Sequence, residues 1–270
     1  MNTPDAANRP TAAGMYDYYL GGNAYTPVDR AAAEMILQSL PDIADGASAN
    51  RGFLQRAVRR MVTEFGITQF LDVGAGLPTQ RNTHDVVAEH TSDGRVVYVD
   101  IDPLAVAKAQ ELLAGDERVA VFQADVRQAE AILEHPKTRA LIDFTRPVGL
   151  LFVALLHFVP DDDDPWGLVR RYIDALPSGS YLALSHGSMS HQISDDAREV
   201  GTKIYQNSAN PATDRTRTEI ERFFAGLELV PPYDGAAPGI AHIGVWGAED
   251  PDLADSDGSR LGYGGLARKP

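Results

Sequence analysis

Short apolar runs alternate with amphipathic segments along most of the chain after Gln69. The runs that predict strands are residues 69–73, 95–101, 119–124, 148–155, 180–185, 227–231 and 242–246. Apolar positions at helical spacing predict helices near residues 79–90, 103–114, 127–134, 165–175 and 214–224. Strands separated by helices form a parallel sheet, because right-handed crossovers lay the helices on its two faces. The pattern therefore predicts an α/β fold with a doubly wound, Rossmann-like sheet of seven strands.

The last two predicted strands have no helix between them. Residues 232–239 are rich in proline and glycine, so we expect strands 227–231 and 242–246 to pair as a hairpin. That pairing would place one antiparallel strand in a mostly parallel sheet. Residues 249–270 begin acidic and glycine-rich, and they are predicted to form a C-terminal tail outside the sheet.

The first 66 residues have a different pattern of polar and apolar positions. Residues 1–13 lack any periodicity and are predicted to be flexible. Residues 14–66 are predicted to form a helical extension or lid: a structured loop at 15–25, where four tyrosines surround a double glycine, and amphipathic helices at 28–39 and 49–65. The core would then span residues 67–248. Within it, an insertion at 188–213 with a predicted helix at 195–206 would cover a ligand at the carboxyl edge of the sheet.

Composition narrows the classes of function. The 270 residues suit one large domain, and the net charge of −14 disfavours nucleic acid and anionic membrane surfaces as partners. The absence of cysteine excludes disulfides and thiolate chemistry and fits a reducing cytoplasm. The longest apolar run, residues 148–159, is too short to span a bilayer, and no secretory signal is evident. We expect a cytoplasmic protein outside the membrane, and association into a homo-oligomer stays open.

Three strand ends carry the strongest chemical pattern. Asp72 lies near the end of the first strand, and Gly74 and Gly76 follow it. Glycines there would let the backbone approach a ligand, and a helix start would offer free N–H groups. A purely structural turn would explain this segment equally well. Asp100 ends the second strand, where a carboxylate can accept both hydrogen bonds of a ribose diol. Asp125 ends the third strand and could accept from an adenine amine.

The alternative interpretation of these carboxylates is that they cap helices. Asp102 directly precedes Pro103 and suits the cap of the next helix better than Asp100 does, which leaves Asp100 for a nucleoside. For Asp125 the cap remains an alternative.

Together these segments resemble class I S-adenosylmethionine-dependent methyltransferases. The resemblance implies that Asp72, Gly74 and Gly76 form the first cofactor-binding motif. It also implies that Asp100 with Ile101 binds the ribose and that Asp125 with Val126 contacts the adenine. One departure is that Pro78 stands where the family usually has a third glycine, although proline suits a helix start.

A narrower resemblance covers nearly the whole chain. Residues 16–22, 50–54, 76–79 with 82–84, 156–160 with the four aspartates that follow, and 217–224 are similar to an actinobacterial S-adenosyl methyltransferase family. Members of that family generally lack an assigned acceptor. The resemblance implies S-adenosyl-L-methionine as cofactor and S-adenosyl-L-homocysteine as product, and it leaves the methyl acceptor open.

Few polar groups are available for catalysis itself. Methyl transfer from a sulfonium is an in-line displacement that positioning and desolvation can drive, so no metal is required. If the acceptor must lose a proton, the candidate bases are His157 and His186, each of which has a structural alternative. Residues 161–164 are four aspartates that we interpret as a solvated loop with Asp164 capping a helix, not as a metal site. Tyr18 and Arg51 are proposed as cofactor contacts from the N-terminal extension.

The leading hypothesis is therefore a methyltransferase acting on a small molecule. One alternative is a nicotinamide-dependent oxidoreductase, whose fingerprint needs a third glycine where this chain has Thr79. Another is a binding or regulatory module that holds the cofactor without transferring its methyl group.

Overall fold

The computed structural model describes residues 9–78, 81–188 and 210–270. The strands are β1 (Gln69–Val73), β2 (Arg95–Asp100), β3 (Val119–Gln123), β4 (Gly149–Val153), β5 (Tyr181–Gly187), β6 (Glu228–Leu229), β7 (Ala241–His242) and β8 (Gly262–Arg268). The helices are α1 (Ala12–Tyr19), α2 (Pro27–Ser39), α3 (Ile43–Thr63), α4 (Thr83–His90), α5 (Pro103–Leu112), α6 (Ala129–Leu133), α7 (Pro136–Leu141) and α8 (Pro165–Ala175), followed by Arg217–Glu221 and Pro251–Ala254. Short 3₁₀ turns occupy Leu156–Phe158, Asp161–Asp163, Arg222–Phe224 and Ser259–Leu261.

One mixed sheet organises the chain. Its strand order is β3-β2-β1-β4-β5-β8-β6, and β7 also pairs with β8. The first five strands are parallel, whereas β5, β6 and β7 are all antiparallel to β8. Among the strands of the described residues, β8 alone therefore runs against the others. The predicted α/β architecture, mostly parallel with helices on both faces, is confirmed.

The predicted pairing of the last two strands is wrong, although β6 and β7 overlap the predicted ranges. The sheet does not end in a hairpin, because β6 and β7 each pair with β8, and residues 243–246 form turns. The antiparallel strand lies instead inside the predicted tail. The sequence of β8 lacks the usual strand pattern because two of its glycines are closely packed. A Cβ on Gly264 would lie 2.6 Å from the Phe53 ring, and one on Gly265 would lie 2.8 Å from Ile240 and Phe224. Close packing of the strand thus demands glycine where a strand pattern would show apolar side chains.

Alternate residues of the strands bury the two faces. Leu71, Val97 and Leu150 belong to one apolar cluster, while Phe70 and Val96 belong to the cluster on the opposite face. The second cluster includes most of the apolar face of α3. None of the helices in the described ranges combines the length and apolar character needed to cross a bilayer.

The N-terminal extension is helical from its beginning. The first half of the tyrosine-rich segment predicted to be a loop, residues 15–19, belongs to helix α1, and residues 20–25 form the turn that follows it. Helix α1 starts where Thr11 accepts a hydrogen bond from the Gly14 N–H. A third apolar cluster, which includes Met15 and Ile36, joins α1 to α2. The helix predicted at residues 195–206 and the residue Thr79 lie outside the described residues.

Arginine side chains of α3 bind the backbone of the segments that follow β6 and β7. The half-buried Arg56 guanidinium donates to the carbonyls of Trp246 at 2.7 Å, Ile243 at 2.7 Å and Gly244 at 3.1 Å. Arg60 donates to the Pro231 carbonyl at 2.6 Å. Because of these contacts, α3 is fixed against the sheet, and its first turns stand beside the carboxyl ends of the strands.

Candidate functional site

A cavity of about 530 Å³ opens at the carboxyl ends of β1, β2, β4 and β5. Helix α1 and the first half of α3 form one wall of it, and residues 210–214 form another. The sequence-proposed residues that line the cavity are Arg51, Asp72, Gly74, Gly76, Asp100, Ile101, Asp125, Val126, His157 and His186. The predicted strand ends are thus brought together around a single space.

The glycine turn after β1 bends towards β2. Gly74 and Gly76 have φ angles of 76° and 64°, in the region that favours glycine. The N–H groups of Gly74 and Ala75 both donate to the Val99 carbonyl, at 2.7 and 3.2 Å. A Cβ on Gly74 would also lie 2.5 Å from the Leu155 side chain. The turn therefore needs its first glycine for two independent reasons.

The Asp100 carboxylate is held in place by backbone groups. It accepts from the Gly76 N–H at 2.7 Å and from the Asp102 N–H at 2.9 Å. Burial raises the pKa of Asp100, and these hydrogen bonds partly offset that increase. Asp102, as the sequence favoured, caps α5 by accepting from the Leu104 N–H at 2.8 Å. Each Asp100 oxygen retains a lone pair that can accept from a ligand hydroxyl.

Asp125 is clamped by a neighbouring arginine. The Arg127 Nε lies 2.9 and 3.0 Å from the two carboxylate oxygens, and Arg127 also donates to Asp163 at 3.0 Å. Burial would raise the pKa of Asp125, yet the bonds from Arg127 outweigh it and hold the pKa below its usual value. Asp125 is therefore an oriented, ionised acceptor at the mouth of the cavity.

Arg51 and Asp72 form the inner end of the cavity. Arg51 donates to Asn82 at 2.9 Å through Nη1, while its buried Nε has no hydrogen-bond partner among the described residues. Asp72 accepts from the Thr83 hydroxyl at 2.6 Å. Burial raises the pKa of Asp72 to about 6, against the lowering effects of Thr83 and Arg51. The Arg51 guanidinium thus lines the cavity beside the glycine turn, where an arginine can donate to an anionic group.

Tyr18, proposed as a cofactor contact, has its partners elsewhere in the N-terminal extension. Tyr18 donates to Glu34 at 3.1 Å and packs edge-on against Tyr25, and it does not line the cavity. Tyr16 lines it instead, because two residues along a helix turn the side chain to a different face.

Tyr16 is positioned by a chain of buried polar groups. Its hydroxyl donates to the Ala47 carbonyl at 3.0 Å and accepts from the Asn50 amide at 2.9 Å. The Ser185 hydroxyl in turn donates to the Asn50 carbonyl oxygen at 2.5 Å. This chain connects β5 to α3 and α1, which fixes the N-terminal wall of the cavity relative to the sheet.

The two histidines lie together on the opposite side. Their ring centroids are 5.3 Å apart, and the His157 Nδ1 accepts from the Gly187 N–H at 3.3 Å. Both ring nitrogens of His186 are engaged, Nδ1 with the Gly187 carbonyl at 2.5 Å and Nε2 with Arg215 at 2.9 Å. This geometry speaks against His186 as a general base.

Arg215 is a residue of this region that sequence reasoning missed. Its buried guanidinium also donates to the carbonyls of Leu156 at 2.8 Å and Val159 at 2.7 Å, and it pairs with Asp161 at 2.7 Å. The only sequence signal is an arginine just before a capping threonine, which gives no indication of burial. Arg215 therefore holds the loop after β4, including His157, against β5.

Comparison with known proteins identifies one family for this chain. The sequence profile of a family described as S-adenosyl methyltransferase matches residues 3–270. The chain belongs to this family. A putative methyltransferase from Thermobifida fusca YX is 39% identical, with a TM-score of 0.88 over 98% of this chain and 97% of that chain. A DUF574 family protein from Streptomyces avermitilis MA-4680 is also 39% identical, with a TM-score of 0.89 over 98% and 99% of the two chains.

More distant structures share only the fold. The N-methyltransferase NodS from Bradyrhizobium japonicum WM9, in complex with S-adenosyl-L-homocysteine, has a TM-score of 0.51 at 12% identity over 95% of this chain and 99% of that chain. A comparison with curated proteins gives no match. The protein is thus an S-adenosylmethionine-dependent methyltransferase, and the nicotinamide-dependent alternative is not supported.

In this methyltransferase the aspartate run after β4 has structural partners. Asp161 pairs with Arg215, Asp163 with Arg127, and Asp164 accepts from the Gly167 N–H at 3.0 Å as the predicted cap of α8. Across the described ranges, no group of three or more histidine or acidic side chains is placed to hold a metal ion.

Proposed function

We propose that this methyltransferase transfers the methyl group of S-adenosyl-L-methionine to a small molecule bound in the same cavity. The observation that carries the proposal is the cavity itself: about 530 Å³, with predicted adenosyl contacts along one side and the histidine pair on the other. That volume falls in the usual range of small-molecule sites. The wall from α1 and α3 narrows access for a macromolecular acceptor.

The cofactor contacts follow from the carboxylates at the mouth. Asp100 would accept from the ribose hydroxyls, with Ile101 against the nucleoside, and Asp125 with Val126 would meet the adenine. The turn at Gly74 and Gly76 would let the backbone pass close to the ligand.

The inner end of the cavity suits the amino-acid part of the cofactor. Arg51 would bind its carboxylate through the guanidinium. Arg51 also lies close enough to Asp72 to lower the pKa of that carboxyl group. The cofactor supplies an activated methyl group on a sulfonium, so the protein has to position the acceptor and exclude water.

Binding and turnover test the proposal directly. S-adenosyl-L-homocysteine should raise the melting temperature by mass action, whereas NAD should not. Labelled S-adenosyl-L-methionine should then pass its label to the low-molecular-weight fraction of a metabolite extract. Stabilisation by NAD alone would refute the cofactor, and cofactor binding without transfer to any fraction would favour the non-catalytic module.

Ligand truncation separates the contributions of individual residues. Arg51→Met should weaken S-adenosyl-L-homocysteine by about tenfold or more, because a charge-assisted pair is lost. It should leave 5′-methylthioadenosine, which lacks the amino-acid part, within about twofold. An equal loss for both ligands would place Arg51 elsewhere in the site.

We also propose a cytoplasmic location, supported by the lack of cysteine in the sequence.

A further inference from the structure

We infer that His157 acts as a hydrogen-bond donor to the methyl acceptor. The Gly187 N–H holds it in that state, and Gly187 is itself fixed by a relay of hydrogen bonds that runs from Arg215 through His186 to the Gly187 carbonyl. The inference rests on the proposed function and adds the chemical class of the acceptor: an ionised oxygen, of which a carboxylate is the simplest example.

The direction of the relay is set at its arginine end. An arginine guanidinium can only donate hydrogen bonds, so the His186 Nε2, 2.9 Å from the Arg215 Nη1, must be the acceptor. The proton of the neutral His186 ring is then on Nδ1, which donates to the Gly187 carbonyl at 2.5 Å. Arg215 itself is fixed by two loop carbonyls and by Asp161.

The backbone of Gly187 joins the two histidines, because its carbonyl contacts His186 and its N–H contacts His157. Its N–H donates to the His157 Nδ1 at 3.3 Å, so that nitrogen must be unprotonated and the proton of the neutral ring is on Nε2. The His157 ring lines the cavity, and among the described residues none hydrogen-bonds to its Nε2. The relay therefore ends in an N–H group available to a bound ligand.

This arrangement leaves His157 no lone pair with which to act as a base. Moving its proton to Nδ1 would set two N–H groups against each other at Gly187. Charging the ring is also opposed, since burial and the nearby Arg215 lower the pKa of His157 to about 3. The sequence-proposed role of His157 as a general base is thus replaced by that of a donor.

A donor of this kind selects the acceptor atom. An oxygen anion can accept from the His157 Nε2–H with one lone pair and attack the methyl group with another. For a carboxylate, an oxygen–methyl bond forms, the methyl–sulfur bond breaks with its electron pair going to sulfur, and no proton has to leave. Methyl transfer to a carboxylate therefore requires no general base.

The proton positions can be measured without knowing the acceptor. Long-range ¹H–¹⁵N spectra of the histidine-labelled protein, saturated with S-adenosyl-L-homocysteine, should show His157 protonated on Nε2 and His186 on Nδ1 throughout pH 5–8. His157→Gln identifies the His157 signals. A proton on the His157 Nδ1, or titration of His157 within that range, would overturn the inference.

Arg215 variants test the origin of the relay. Arg215→Met removes the donor to the His186 Nε2, so the ¹⁵N signal of that nitrogen should move towards the position of a free imine nitrogen, while Arg215→Lys, which can still donate, should leave it in place. The Gly187 carbonyl should keep the proton on Nδ1 in both variants. An unchanged Nε2 signal in folded Arg215→Met would refute the arginine end of the relay. Unchanged S-adenosyl-L-homocysteine affinity in these variants separates this result from the proposed cofactor site.

Two planar probes of opposite polarity test the acceptor class. Benzoate offers only lone pairs, and benzamidine, which is close to it in shape, offers only N–H groups at neutral pH. Added at millimolar concentration to the S-adenosyl-L-homocysteine complex, benzoate should shift the His157 Nε2–H signal and benzamidine should not. Preference for benzamidine, or no shift with either probe, would refute the ionised-oxygen acceptor.

Discussion

Asp100→Ala is the most direct test of the cofactor site. The Asp100 carboxylate is oriented by the Gly76 and Asp102 N–H groups at 2.7 and 2.9 Å, and its remaining lone pairs are those proposed to bind the ribose. Removing it should cost two charge-assisted hydrogen bonds to the ligand, while water can reach the freed N–H groups. We expect a net loss of about 2 kcal/mol, or about thirtyfold in the dissociation constant.

Calorimetric titration with two ligands measures this effect. Both S-adenosyl-L-homocysteine and 5′-methylthioadenosine carry the ribose, so Asp100→Ala should weaken both by the same factor. The matched control is Asp102→Ala, which removes the cap on the Leu104 N–H. That variant should lose about 1 kcal/mol of folding stability and keep its affinity within about twofold. Unchanged affinity in Asp100→Ala, or an equal loss in Asp102→Ala, would refute the assigned ribose contact.

Three further variants probe the fold around the site. Because the pKa of Asp72 is raised to about 6, the folded state holds a proton that the unfolded state releases, and the Asp72 contribution to stability should fall by about 2 kcal/mol as pH rises from 4 to 8. Asp72→Asn should lack that fall in denaturant titrations of the ligand-free protein, and an identical pH dependence would contradict the burial argument. Gly264→Val should destabilise the fold by about 3 kcal/mol or more, because even a Cβ at this position would lie 2.6 Å from Phe53. An unchanged melting temperature would mean that β8 can move away from α3. Arg56→Met leaves three carbonyls without their donor and should lower the free energy of unfolding by about 2–4 kcal/mol, with cofactor affinity retained. A loss of cofactor affinity without a loss of stability would contradict the structural role of Arg56.

Local patterns were sufficient for the first five strands and for the residues at their ends. Asp100 and Asp125 follow apolar runs directly, and parallel strands necessarily bring their carboxyl ends to one edge. Their convergence is thus a property of topology that alternation of strand and helix already specifies. The Asp164 cap was likewise visible, because an aspartate before a proline is a local signal.

Features that depend on distant partners were beyond such reasoning. The glycines of β8 make sense only once Phe53 and Ile240 are packed against them, so the sequence of that strand resembles a loop. Arg215 becomes informative only when the loop at 156–161 and His186 of β5 meet around it. Tyr16 and Tyr18 differ by their face of α1, which could not be assigned while that segment was interpreted as a loop.

The position of β8 between β5 and β6 has a consequence for biosynthesis. Until the ribosome has released residues 262–268, the edge of β5 exposes unpaired backbone groups, and β6 and β7 have no strand with which to pair. The half-made sheet is then a template for pairing with other nascent chains. Chaperone binding during translation, or slow codons placed before this strand, would therefore change the yield of this enzyme more than its final stability.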